Sequence, residues 1–263
     1  MFEEKLPVSK RILLALAFLA DCLDEARLLG GLVGVTYNWV YGWVPPQYKR
    51  HNFYNQVRRL LKKGYVRKKR EGRSSILAIT AEGRVNSVSL QGCLWPEEWD
   101  GFWTLVFFDI RETSRRIRDL LRDLLKRLKF GMFQRSVWVF PGNFVAKLRK
   151  LMAQEGLQNY VLVISSKDLG VKNQKALAER IWHVSSLNKK YKRLVGEIQA
   201  VAGFPEEKQG AEVKRLKERL LVLLDRDPML PLALLPDDWA GRKAVRAILA
   251  FEGEDTSRQG LRS

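Results

Sequence analysis

Two cysteines and two histidines in 263 residues leave little material for metal or disulfide chemistry. Cys22 and Cys93 form neither a C-x-x-C pair nor the dense framework of a small secreted domain, which fits a reduced, cytoplasmic setting. His51 and His183 alone cannot build a multi-histidine metal site. No phosphate-binding G-x-x-x-x-G-K loop, no G-x-G-x-x-G turn and no G-x-S-x-G elbow occurs, so the common nucleotide-binding and hydrolase signatures are missing and no cofactor is expected. Long apolar runs are missing too. The longest near the start, Ile12–Ala20, is far too short to span a bilayer. It follows Lys10-Arg11 and so imitates a signal peptide, and Leu19-Ala20-Asp21-Cys22 imitates a lipoprotein cleavage site. Asp21 spoils that site, and Glu3 and Glu4 dilute the positive start, so the run reads as a core helix with no membrane role.

Acidic residues are also scarce. Lys and Arg number 47 against 29 Asp and Glu, a formal net charge of +18. An excess of that size points to a polyanionic partner, above all nucleic acid. Nearly half the residues are apolar, so the chain is expected to fold, and its length allows two or three small domains.

The middle of the chain carries the clearest pattern. Trp103–Phe108 is a short, unbroken apolar run ending at Asp109, suited to a strand buried on both faces. In Arg111–Lys129, Ile117, Leu120, Leu121, Leu124, Leu125 and Leu128 recur at steps of three and four, one helical face, with Thr113 or Ser114 placed to cap it. After Gly131 the chain turns extended through Ser136–Phe140 and stops at Pro141-Gly142. Leu148, Leu151 and Met152 mark another helix, and Tyr160–Ile164 another buried strand. Strand, helix, strand pair, helix, strand is the order of a ferredoxin-like, or split βαβ, module.

Upstream, Pro7–Leu29 has helical spacing and ends at Gly30-Gly31. Leu32–Tyr41 reads as a second helix on the strength of the helix and hairpin downstream of it, although its β-branched residues suit a strand. Gln47–Lys63 is the candidate reader helix. Phe53, Val57, Leu60 and Leu61 share an inward face. The remainder presents Arg58, Arg59, Lys62 and Lys63, with Tyr48, Lys49, Arg50, His51, Asn52, Asn55 and Gln56 around the first turns. Gly64 stops the helix, and two extended pieces, Tyr65–Lys69 and Ser75–Ile79, flank the basic turn Arg70–Ser74. Thr80 caps a short last helix. Between Gln47 and Arg84 there are twelve Lys/Arg against Glu71 and Glu82. Helices followed by a basic hairpin describe a winged helix-turn-helix. An α-helix fits the major groove of double-stranded DNA, Asn, Gln, Arg and Lys reach base edges, and Lys68, Lys69, Arg70 and Arg73 of the wing meet phosphates.

Downstream, Leu177 to Ile198 reads as one long amphipathic helix. Val213 to Leu223 reads as the next, ended by Asp227-Pro228, and a proline-rich turn, Leu230–Gly241, leads to a final helix through Phe251. The fold class is therefore α+β. The expected domains are a winged helix-turn-helix over 1–92, a ferredoxin-like domain over 93–170, a helical domain over 171–252 and a disordered tail over 253–263.

Three segments together resemble the PaaX family of phenylacetate-degradation repressors. They are the N-terminal winged helix, the block from Trp103–Asp109 through Arg116–Leu121 to Ser136–Pro141, and the strings Asp227-Pro228-Met229-Leu230-Pro231 and Leu234-Leu235-Pro236-Asp237-Asp238-Trp239-Ala240-Gly241. The resemblance implies a homodimeric, sequence-specific transcriptional repressor rather than an enzyme, released from its operator by an aromatic acyl-CoA thioester. Trp182, Tyr191 and Trp239, with Lys189, Lys190, Lys192 and Arg193, are residues of the kind such an effector would use, though core packing and solvated surface account for them as well. Phe108-Asp109-Ile110 and Gln134-Arg135-Ser136-Val137 also resemble the small ferredoxin-like subunit of the CRISPR spacer-acquisition complex. That second resemblance implies an alternative, a metal-dependent nuclease in which Asp109 would bind the metal. The ordinary reading of Asp109 is a carboxylate accepting hydrogen bonds from the start of the following helix. A second basic face, along Arg115–Lys129, is the other place where positive charge could meet an anion.

Overall fold

A computed structural model describes residues 6–17, 50–71, 74–87, 94–201 and 203–259, and resolves them into two compact units. One unit comprises Met1–Ser87, Ser185–Asp227 and Asp238–Ser263; the other comprises Val88–Val184 and Pro228–Asp237. The expected second helix, Leu32–Tyr41, lies outside the described residues.

The second unit is built on the apolar runs. β3 (Trp103–Phe108), β4 (Gly131–Gln134), β5 (Val137–Pro141) and β6 (Val161–Ser166) form one sheet in the order β4-β5-β3-β6, with every neighbouring pair antiparallel. Helix α4 (Arg115–Arg127) lies between β3 and β4 in the chain, and α5 (Val145–Gln154) lies between β5 and β6. Leu121, Leu124 and Leu125 of α4 and Leu148 and Met152 of α5 are buried, as are Val106, Trp138, Phe140 and Val163 of the strands. Neither Thr113 nor Ser114 caps α4 as expected. Glu112–Ser114 forms a tight 3-10 turn, and Ser114 at the N-cap makes no side-chain bond to the helix.

Aromatic packing fixes one end of this sheet. Trp103 is 1% exposed, stacks on Trp182 with ring centroids 6.3 Å apart, and meets Trp99 edge-on at 5.4 Å. Both stacked indoles are satisfied: Trp103 Nε1 donates to Gln174 Oε1 (3.1 Å) and Trp182 Nε1 to the Lys129 carbonyl (3.2 Å). Trp182 ends α6 (Gln174–Trp182), whose N-cap Asn173 accepts the Ala176 amide. Gly131 at the start of β4 makes room for this helix end. A Cβ there would sit 2.0 Å from Ile181 Cγ2 and 2.6 Å from the Trp182 ring.

The long helix expected from Leu177 to Ile198 is two helices. His183 takes a left-handed conformation (φ 52°) and divides α6 from α7 (Val184–Val201). The apolar spacing runs on through the break, so periodicity alone could not place it.

In the first unit, the described helix over 8–17 (α1) buries Ile12, Leu14 and Leu16. It is joined to α8 (Glu206–Arg226) by ion pairs from Lys10 to Asp225 and from the nearly buried Arg11 to Glu218 (3.3 Å). Tyr191 of α7 is fully buried and donates to Asp227 Oδ2 (2.9 Å) just beyond the end of α8. Asn188, one turn earlier, donates to Asp238 Oδ1 (2.8 Å) and accepts the Ala240 amide (2.9 Å). Trp239 packs edge-on against Tyr191 at 5.4 Å. The last helix, α9, runs Gly241–Gln259, into the stretch expected to be a disordered tail.

Burial, and then the Asp227 carboxylate beside it, push the Tyr191 hydroxyl well above its ordinary value near 10.0. A raised folded-state value gives stability that is complete below pH 10 and is lost as pH climbs above it toward the folded value. Equilibrium urea unfolding should therefore show stability falling above about pH 10, and Tyr191→Phe should flatten that slope. At neutral pH the same change removes a donor from a buried carboxylate and should cost about 1–3 kcal/mol. Gly131→Ala should cost about 1–3 kcal/mol by overpacking. Gly196→Ala, where an added Cβ meets nothing within 4 Å inside α7, should be neutral or stabilise by up to about 1 kcal/mol.

Candidate nucleic-acid interface

The residues expected to read DNA fall on a helix followed by a hairpin and a short helix. α2 spans Arg50–Lys62, β1 (Val66–Glu71) pairs antiparallel with β2 (Ser74–Ile79), and α3 spans Ala81–Ser87. Val57 and Leu60 are buried, so the apolar stripe of α2 faces inward. Arg58, Arg59, Lys62 and Lys63 are exposed. Asn55 and Gln56 are half-buried, and Arg50, His51 and Asn52 form the first described turn of the helix. Tyr48, Lys49 and Arg73 lie outside the described residues. In the hairpin, Lys68 is exposed, while Lys69 and Arg70 stand opposite Ile76 and Ser75 in the strand register.

Three local interactions hold the hairpin to α2 and α3. Gly64 turns the chain with φ 70°, a conformation that favours glycine after a helix. Thr80 Oγ1 donates to the Gly64 carbonyl (2.6 Å) and accepts the Gly83 amide (3.1 Å), so one hydroxyl ties the helix end to the start of α3. Gly83 lies so close to the hairpin base that a Cβ would stand 2.0 Å from the Tyr65 carbonyl oxygen. Arg67 and Tyr54 are exposed beside the expected set, and the sequence does not single them out. A residue in a strand run shows its direction only once the register is known.

The residues considered for an effector are differently placed. Trp182, Tyr191 and Trp239 are taken up by their stacking and edge-on contacts, and Lys192 pairs with Asp238, whose carboxyl that hydrogen bond draws below its ordinary range. Asp109 does not cap α4, since it makes no hydrogen bond among the described residues. It lies instead in a groove lined by Arg118, Arg122, Lys126 and Arg135. Among the described residues no group of three or more His, Cys, Asp or Glu side chains could hold a metal.

Comparison with known proteins agrees with this architecture. Residues 96–178 match the family model of the PaaX protein central Cas2-like domain, and residues 182–256 match that of the PaaX-like protein C-terminal domain. The transcriptional repressor PaaX of Escherichia coli (strain K12) is 25% identical over 200 residues, covering 71% of this chain and 63% of that protein. The chain thus spans somewhat less than two thirds of that relative's length. Among solved structures, the uncharacterized protein Rv0674 from Mycobacterium tuberculosis shares the fold. It superposes with a TM-score of 0.51 at 21% identity, over 91% of this chain and 96% of that one.

If Thr80 is the tie between α2 and α3, Thr80→Ala should cost about 1 kcal/mol. Native-state hydrogen exchange should show the loss in the amides of β1, β2 and α3 while those of β3 to β6 keep their protection.

Proposed function

The chain belongs to the PaaX family, and from that premise we propose that it is a sequence-specific DNA-binding transcriptional repressor acting as a homodimer. The observation that carries the proposal is the exposed cationic face of α2 beside a basic hairpin, on a chain whose relative is itself a repressor. In this reading α2 lies in the major groove, with Lys49, Arg50, Asn52, Asn55 and Gln56 at base edges. Arg58, Arg59, Lys62 and Lys63 meet phosphates, and the hairpin acts as the wing through Lys68, Lys69, Arg70 and Arg73. The segment over 1–92 is then a winged helix-turn-helix, 93–170 a ferredoxin-like domain and 171–252 a helical domain.

Self-association is supported by the sheet of the second unit. Leu162 (59% exposed) and Ile164 (38%) alternate with the buried Val163, so they leave apolar surface on the face away from the buried core. Release by an aromatic acyl-CoA is the regulation that family membership suggests. A cytoplasmic location follows from the same function, and among the described residues no helix is long and apolar enough to cross a membrane.

Selection from random double-stranded DNA should recover a palindromic motif, its half-sites about 10 base pairs apart or a multiple of that. Affinity for it, read by fluorescence anisotropy, should fall by about 0.9 log units per log unit of salt for each phosphate neutralised. Replacing Lys68 or Arg73 should lower that slope on all sequences alike. Replacing Asn55 or Gln56 should relax sequence preference by about 1–3 kcal/mol. Unchanged binding after charge reversal at Arg58, Arg59, Lys62 and Lys63 would sink the assignment of α2.

A further inference from the structure

We propose that the outward face of α4, with Arg111 before it and Arg135 on the neighbouring β4–β5 turn, is a sequence-independent contact for the phosphate backbone of double-stranded DNA. The inference rests on the DNA-binding reading for the identity of the polyanion, but on different residues in a different unit.

The inner face of α4 is occupied, since Leu121, Leu124 and Leu125 are buried. The outer face is cationic. From Arg111 to Arg135 nine Lys and Arg stand against Glu112, Asp119 and Asp123. Arg111, Arg115, Arg116, Lys126, Arg127 and Arg135 are all exposed. Three of them meet carboxylates: Arg115 lies 3.6 Å from Asp119, Lys126 3.9 Å from Asp123 and Arg127 3.5 Å from Glu155. Both members of each pair are exposed, and such pairs contribute little and exchange readily. Among the described residues Arg111, Arg116 and Arg135 have no carboxylate partner.

These cations work against the helix that carries them. The first turn of α4 holds Arg115, Arg116 and Arg118 and no acidic residue, although the positive end of the helix dipole disfavours cations there. Arg118, Arg122 and Lys126 follow at four-residue steps, where like charges repel. Arg115 precedes Asp119, the less favourable order for a pair four residues apart. Three local rules are broken in one sense. Residues that weaken their own element and bury nothing are placed for a partner outside it.

The distribution selects the partner. A helix that rests on lipid sinks its apolar side, and the apolar side of α4 is already covered, with Leu120 its one exposed large apolar residue. A small anion would use converging cations, whereas these are spread along a helix of 13 residues, about 20 Å. Duplex DNA offers one charge per about 1.7 Å over such a length. With no Asn or Gln, α4 presents a face suited to phosphates rather than to sequence.

The test is fluorescence anisotropy on the full chain, across a salt series, with a duplex of arbitrary sequence and a duplex carrying the selected motif. Arg115→Gln combined with Arg116→Gln should weaken both by about tenfold or more and lower the salt slope by about two units. The urea midpoint of this variant should equal or exceed the parent's, because the first turn loses its unfavourable charge, so unfolding cannot account for the loss. Adding Lys126→Gln and Arg127→Gln should lower the slope further while the ratio of motif to arbitrary affinity holds. Asp119→Asn with Asp123→Asn should tighten both duplexes by about threefold. The inference is overturned, and the DNA-binding reading kept, if the Gln variants bind as the parent does while charge reversal on α2 abolishes binding. Binding without motif preference, with a slope that the α4 variants lower, does the reverse. Both fall if neither duplex binds, and binding of anionic phosphatidylserine vesicles instead would make the face a membrane contact.

Discussion

The hydrogen bond from Tyr191 to Asp227 is the interaction on which the C-terminal half of the first unit depends. Asp227 is completely buried, and an ionised carboxylate without donors at that depth would be strongly unfavourable. Tyr191 supplies a donor, and the same ring carries Trp239 on its edge. One turn away, Asn188 uses its amide nitrogen on Asp238 and its oxygen on the Ala240 amide. The two side chains on α7 therefore hold both ends of the excursion that the chain makes between Asp227 and Asp238. This gives a physical reason for the string from Asp227 to Gly241: the polar residues are the anchors, and the prolines shape the path between them.

Charge is distributed in two ways along the chain. In the helical part of the first unit several cations are matched, with Lys10 on Asp225, Arg11 on Glu218 and Arg219 on Glu197. On α2 there are four Lys and Arg residues, Arg50, Arg58, Arg59 and Lys62, and no Asp or Glu in the same helix. An unmatched cation contributes nothing to folding that a neutral residue could not, and a crowded row of them opposes it. Net charge is therefore informative about partners rather than about the fold.

Much of the architecture is legible in the sequence because burial leaves a period. Trp103–Phe108 is too short and too apolar for anything but an inner strand, and Leu121, Leu124 and Leu125 of α4 can share a buried face only on a helix. The equally apolar Val161–Ile164, expected to be buried, is instead part of an edge strand that leaves Leu162 and Ile164 exposed. The exposed cations of α2 are legible for the complementary reason, since Val57 and Leu60 fix which face turns inward. What the sequence hides depends on distant neighbours. Gly131 matters because Trp182, far along the chain, needs its space. His183 breaks a helix without disturbing the apolar spacing. Arg118 and Arg122 look like any solvated helix face until the fold brings them to the same groove as Trp138. Thr80 reads as a cap from its position alone, but its second bond, to Gly64, exists only once the hairpin has closed.

The chain passes between its two units four times, after Ser87, Val184, Asp227 and Asp237. On the ribosome this imposes an order. The amino-terminal segment emerges first, yet the unit it belongs to is finished only when residues beyond 238 have been made. At about 5–20 residues per second that wait is on the order of ten seconds. The other unit must also wait for Pro228–Asp237, so neither is complete until the segment between the Asp227 and Asp238 anchors has been threaded through. A nascent chain held that long with a cationic helix exposed is surrounded by the most concentrated polyanion in the cell, ribosomal RNA. Completing the fold and keeping that cationic helix off the nearest polyanion are, for this topology, one problem.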